Sequence, residues 1–109
     1  GAGRLTGKYQ NGAIPEGSRM AINGDLGGRK TDRAFAAVED YLQIAQKHGL
    51  DPVQMSMAFA RQRPFMASVI FGATSLDQLD VILGAIDLHL DDEVMADLDA
   101  AHKAHPMPF

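Results

Sequence analysis

Cysteine is missing from the 109 residues of this sequence. Disulfides, thiolate nucleophiles and zinc–sulfur centres are thereby excluded. The absence suits a reducing compartment, and a cytoplasmic location is the expectation. No apolar run comes near the roughly 20 residues that a membrane-spanning helix needs, and no leader-like pattern is visible, so no membrane partner is expected. Positive charge is also short: 14 acidic against 10 basic residues leave a net charge of −4. General nucleic-acid binding needs a basic surface, so nucleic acid is not an expected partner, although a few local cations could still hold one anionic ligand. There is no internal repeat, no low-complexity tract and no Gly-x-Ser-x-Gly nucleophile motif. His102 and His105 stand three apart and could meet on a helix face, but Pro106 follows at once and no carboxylate has ligand spacing. A metal site is not expected.

What is present is a series of helix signals. Thr31 or Asp32 can cap a helix over residues 31–48, with Phe35, Val38, Tyr41, Leu42 and Ala45 on one face and Gly49 as its stop. His48, near that helix's C-terminus, suits the negative end of the dipole. Asp51-Pro52-Val53-Gln54 is a second start: a capping Asp, Pro at the first helical position, and Gln54 completing a capping box. Met55, Ala58 and Phe59 form its buried stripe, and Pro64 ends it near Gln62. Two adjacent helices could suggest a DNA-binding helix-turn-helix, but the acidic balance and the few cations on the second helix oppose it. Asp91 caps a last helix, with Leu90 stapled to Met95 and Val94, Leu98 and Ala101 facing inward. The tail from His105 onward should be irregular.

The stretch Val69-Ile70-Phe71-Gly72-Ala73-Thr74-Ser75-Leu76-Asp77-Gln78-Leu79 reads differently. β-Branched and aromatic residues predict a buried strand over residues 67–71. Gly72 allows a sharp turn and close approach of a ligand to the backbone. Ser75 and Gln78 form a capping box for a helix whose apolar face is Leu79, Ile82, Leu83 and Ile86. A helix N-terminus presents unpaired N–H groups and so attracts phosphate. Most such junctions nonetheless bind nothing, and spacing alone favours a purely structural cap. Residues 1–30 are rich in Gly and lack apolar periodicity, which predicts a long loop with at most the tail of a strand at its start. Loops of that length in compact domains tend to be functional.

Two segments carry a resemblance. Phe71-Gly72-Ala73-Thr74-Ser75-Leu76-Asp77-Gln78-Leu79 resembles the cofactor segment near the C-terminus of aldo-keto reductases. Gly1-Ala2-Gly3-Arg4-Leu5-Thr6-Gly7-Lys8-Tyr9, with Ser18-Arg19 after it, resembles that family's long loop after the seventh barrel strand. The order is the same, with a helical span of suitable length between. The resemblance implies the C-terminal third of a (β/α)8 TIM barrel, about strands 7–8 with their helices, in which residues 1–30 are the cofactor loop and residues 31–109 the helices and last strand. A whole barrel takes about 250 residues, so this chain is expected to be mostly helical and to need the remaining N-terminal part of its own barrel as a partner. Its first residue is Gly rather than Met, in keeping with that expectation.

The family reduces aldehydes and ketones with NADPH, so the implied cofactor is NADP(H) and the implied substrate of the intact enzyme a carbonyl compound. The resemblance assigns cofactor binding to Gly1, Ala2, Lys8, Arg19, Gly72, Thr74 and Gln78. Lys8 would lie near the pyrophosphate, and Arg19 would pair with the adenosine phosphate. The Thr74 hydroxyl and the backbone would donate to that phosphate, and Gln78 would reach the adenine. Gln78 has two competing roles, the cap and the adenine. The family's catalytic Tyr, Lys, Asp and His lie in the first half of the barrel, so no catalytic residue is assigned here; Tyr9 belongs to the loop and Tyr41 to a helix face. Many relatives follow Gln-Leu with a Glu and an Asn that touch the adenosine. This chain has Val81 and Ile82 at those places, which bears on NADP selectivity. Two alternatives share these residues: a non-catalytic, nucleotide-sensing barrel subunit, and a stand-alone helical interaction module.

Overall fold

Four short side chains set four of the helix starts. The Thr31 hydroxyl accepts from Ala34 N at 3.1 Å, and Asp51 Oδ1 accepts from Val53 N and Gln54 N at 2.8 and 3.1 Å. Ser75 Oγ accepts from Gln78 N at 3.2 Å, and Asp91 Oδ1 from Val94 N at 3.0 Å. Each satisfies N–H groups that a helix leaves unpaired at its first turn. The computed structural model describes residues 2–108. Two 3-10 turns, Arg4–Thr6 and Gln10–Gly12, precede α1 (Arg19–Asn23), α2 (Asp32–Lys47), α3 (Pro52–Arg61), α4 (Leu76–Leu83) and α5 (Asp92–Ala104). α2 packs on α5 and α3, α3 packs on α4, and the Arg4–Thr6 turn sits against α2 and α3.

The main core joins Ala45, Met55, Ala58, Leu90, Val94 and Leu98, flanked by Tyr41, Phe59 and Met95. These are the stripes expected on α2, α3 and α5, and Leu90 and Met95 meet as the staple requires. A second, smaller cluster of Tyr9, Met20 and Leu26 organises the first 30 residues. Arg4 is buried there, its guanidinium 4.2 Å from the Phe35 ring centroid, with one nitrogen donating to Arg29 O at 2.8 Å. Burial lowers its pKa below the usual arginine value.

Long side chains then tie elements together. Gln62, at the end of α3, binds both backbone groups of Leu90. Asp97 on α5 takes His48 Nε2 at 2.7 Å and Lys47 Nζ at 2.9 Å from the end of α2. The C-terminal tail is irregular, as expected, and folds back along α2. His105 Nε2 meets Asp40 Oδ2 at 2.5 Å, and Thr31 Oγ1 donates to Pro108 O at 2.7 Å.

Several expectations are corrected. The strand over residues 67–71 does not form: the segment is irregular and unpaired, Ile70 is 95% exposed and Phe71 44%. A strand needs neighbours to take its N–H and C=O groups, and the described residues contain no other strand. For the same reason no strand tail appears at the start of the described residues; the loop there contains 3-10 turns and α1. Gln54 does not close a capping box, because its Nε2 donates across to Val81 O at 2.9 Å. Leu83 and Ile86 are exposed, leaving Ile82 as the buried residue of α4. On α2 the buried positions are Ala34, Ala37, Val38 and Ala45, with Phe35, Tyr41 and Leu42 only half-buried. His48 stands at the C-terminal end of α2, as expected, and also meets Asp97.

Candidate functional site

One cleft of about 940 Å³ gathers Ala2, Lys8, Arg19, Gly72, Thr74 and Gln78. These are all the predicted site residues that can be placed; Gly1 lies outside the described residues. Three stretches far apart in sequence form the walls: the Arg4–Thr6 turn with its flanks, the start of α1, and the approach to α4. Val53, Ser56 and Met57 of α3 and Ile82 of α4 complete it. Lys8 and Arg19 are its cations, and Glu16 is the one carboxylate among the described residues that line it. The balance favours an anionic guest.

Local chemistry sets each side chain. At Gly3, φ is +81°, and an added Cβ would come within 3.0 Å of Lys8 Cε. Glycine there supplies both the left-handed backbone and the room for the lysine. Lys8 Nζ lies 5.3 Å from the Tyr9 ring centroid, within cation–π range. Arg19 is exposed, and no hydrogen bond or ion pair holds its side chain among the described residues.

Thr74 and Gln78 form a closed pair. Thr74 N and Thr74 Oγ1 both donate to Gln78 Oε1, at 2.8 and 3.1 Å. The competition between cap and ligand contact at Gln78 is thereby divided by atom. Its oxygen serves the turn, while its amide nitrogen makes no hydrogen bond among the described residues, and the residue lines the cleft. The Thr74 donors that the resemblance aims at a phosphate are turned to Gln78 instead. Val81 and Ile82 stand at the departure from the family pattern. The Val81 carbonyl is held by Gln54, and Ile82 is buried.

Tyr9, Ser18 and Glu16 were not singled out as site residues by sequence reasoning. Tyr9 is 1% exposed, and its hydroxyl accepts from Met20 N at 3.3 Å. Burial opposes its ionisation, but the Met20 N–H, the Ser18 hydroxyl and the Lys8 ammonium together outweigh burial and hold the phenol below its ordinary value. Ser18 caps α1 by accepting from Ala21 N at 3.3 Å; a Ser before a short apolar run is the signal that could have found it. A second cavity of about 440 Å³, lined by Tyr41, Phe59, Leu98 and His102 among others, shares only Leu5 and Ser56 with the cleft and contains none of the predicted residues. Among the described residues no group of three His, Asp or Glu gathers as metal ligands, and no helix is long and apolar enough to cross a membrane.

A helical segment with a cationic cleft built from a glycine-rich loop and a capped helix start is a form shared by many nucleotide-binding proteins. Comparison with known families narrows it: residues 1–103 match the model of the aldo/keto reductase family, and the chain belongs to that family. It is 43% identical over 111 aligned residues to Protein tas of Escherichia coli K12, covering 99% of this chain and 31% of that protein. It is 36% identical over 90 residues to a probable voltage-gated potassium channel subunit beta of Arabidopsis thaliana, covering 80% of this chain and 27% of that protein. It is 31% identical over 103 residues to L-glyceraldehyde 3-phosphate reductase of Escherichia coli O157:H7, covering 89% and 30% respectively. The chain thus spans about a third of the length of the curated relatives it matches.

Proposed function

We propose that this chain is the cofactor-gripping C-terminal third of a cytoplasmic, NADPH-dependent aldo-keto reductase that reduces aldehydes or ketones to alcohols. The observation that carries the reading is the single cleft into which Ala2, Lys8, Arg19, Gly72, Thr74 and Gln78 converge. NADPH would supply the hydride, and the protein's task is to bind and orient it. Lys8 is suited to the pyrophosphate as a point charge, and Arg19, unpaired and planar, to the adenosine phosphate. The free amide of Gln78 can donate to an adenine nitrogen. The carbonyl oxygen would be protonated by a general acid from the other part of the barrel, so residues 1–109 alone should be inactive.

The partner of this segment is the rest of its own (β/α)8 barrel. Phe65, Met66, Ile70 and Phe71 are exposed in one unpaired stretch. Strands on either side of residues 67–71 would satisfy its backbone and cover these side chains.

A non-catalytic nucleotide sensor is the second reading, favoured by the similarity to the potassium channel subunit beta. Both readings require the cleft, and a carbonyl-reduction assay on the full-length protein separates them. The cleft itself is tested by titrating that protein with NADPH and NADH. Arg19→Ala should weaken NADPH by about 10-fold or more and leave NADH nearly unchanged. Equal loss for both cofactors, or none, would overturn the phosphate assignment.

A further inference from the structure

One buried side chain meets Lys8 and the backbone beside Arg19, the two cations of the cleft. The Tyr9 ring lies under the Lys8 ammonium, 5.3 Å from Nζ to centroid. The Tyr9 hydroxyl accepts from Met20 N, the residue after Arg19. Tyr9 is 1% exposed and packs with Met20 and Leu26. α1 has only five residues, too few to hold its own place in water. Two groups fix its first turn: Ser18 Oγ on Ala21 N, and Tyr9 Oη on Met20 N. Arg19 has no anchor of its own, so its direction is inherited from that turn.

We propose that Tyr9 is a positioning residue for phosphate recognition: its hydroxyl fixes the turn that aims Arg19, and its ring face holds Lys8. This rests on the cofactor reading given above and deepens it, because it makes the adenosine phosphate and the pyrophosphate separable through one side chain. Tyr9→Phe keeps the ring face beside Lys8 and deletes only the hydroxyl, so it acts on Arg19 more than on Lys8. Tyr9→Leu deletes both. The depressed pKa of the phenol agrees with a hydroxyl surrounded by donors and a cation.

The test is calorimetric titration of the full-length protein with NADPH and with NADH, for Tyr9→Phe, Tyr9→Leu, Arg19→Ala and the double variant Tyr9→Phe/Arg19→Ala. Tyr9→Phe should weaken NADPH by about 3- to 10-fold, the scale of one hydrogen bond, with NADH changed by less than about 2-fold. Tyr9→Leu should weaken both. In the Arg19→Ala background Tyr9→Phe should have no further effect, because a residue that acts through another loses its influence when that other is gone. If Arg19→Ala shows selective loss and Tyr9→Phe shows none, or if the two effects add, the positioning role is overturned while the site reading stands. If Arg19→Ala shows no selective loss, the site reading falls first and this inference with it. Ser18→Ala, which loosens the same turn without touching the Tyr9 ring, should reproduce the Tyr9→Phe pattern even if Tyr9→Phe itself folds poorly. A Ser18→Ala protein with unaltered NADPH affinity would count against the turn as the source of aim.

Discussion

The carboxamide of Gln62 pairs with both backbone groups of Leu90: Nε2 donates to the carbonyl at 3.1 Å and Oε1 accepts the N–H at 2.6 Å. A side chain at the end of α3 thus imitates a neighbouring strand for the residue that leads into α5. Leu90 is 2% exposed, so water cannot replace either bond. Gln62→Leu should cost about 2–4 kcal/mol, from two buried polar groups left unpaired. Gln62→Glu keeps the acceptor for the N–H but sets a carboxylate against the carbonyl, and should also destabilise. Urea midpoints of the full-length variants check this, and a Gln62→Leu midpoint equal to the parent's would refute it.

Gly84 is close to Gln54 for a steric reason. A Cβ there would come within 2.3 Å of Gln54 Nε2, while the backbone, at φ −61°, accepts any residue. Gly84→Ala should therefore push Gln54 off Val81 O and lose about 0.5–1.5 kcal/mol for that bond. The smaller entropy of unfolded alanine offsets this by about 0.4–1 kcal/mol. With Gln54→Ala already in place only the gain remains, and Gly84→Ala should stabilise. A double-mutant cycle reads the difference; strict additivity would rule out the contact as the cause.

Asp97 lies between the Lys47 ammonium and the His48 ring. The hydrogen bonds from His48 and then Lys47 hold its carboxyl below the usual value, and the same contact raises Lys47. A depressed carboxyl contributes stability above its unfolded pKa, about 3.9, and loses it as pH falls through the folded value. The raised lysine contributes below its unfolded pKa, about 10.4, and loses this as pH rises through its folded value. Asp97→Asn should thus lower the urea midpoint near neutral pH, and the gap to the parent should close as the pH falls through the lowered value of the carboxyl. A gap that does not narrow with falling pH would show that charge is not the cause.

Ile70 is 95% exposed in residues 1–109 and is expected to be covered in the whole barrel. Ile70→Ser should then change the stability of the 109-residue segment by no more than about 0.5 kcal/mol, yet cost the full-length protein about 2–4 kcal/mol. Equal effects in both would remove the barrel as the partner of this stretch.

Sequence alone fixed the helix starts, because each is written within four residues: Thr31, Asp51, Ser75 and Asp91 cap groups two or three positions on. It also carried the two family segments and six of the residues that line the cleft. What it could not state are relationships across long stretches of chain. Gln54 reads locally as a capping residue and is taken by Val81, 27 positions away; Gln62 reads as a helix end and holds Leu90, 28 positions away. Tyr9 reads as a loop residue and becomes the anchor of α1. Residues 67–71 show the same limit in reverse. Their β-rich composition is a local property, but a strand is a pairing, and the partners it needs are not among the described residues. Local hydrogen bonds are decided by the residue types themselves. Which distant groups meet is decided only when the chain closes, where burial makes each unpaired polar group costly enough to select its partner.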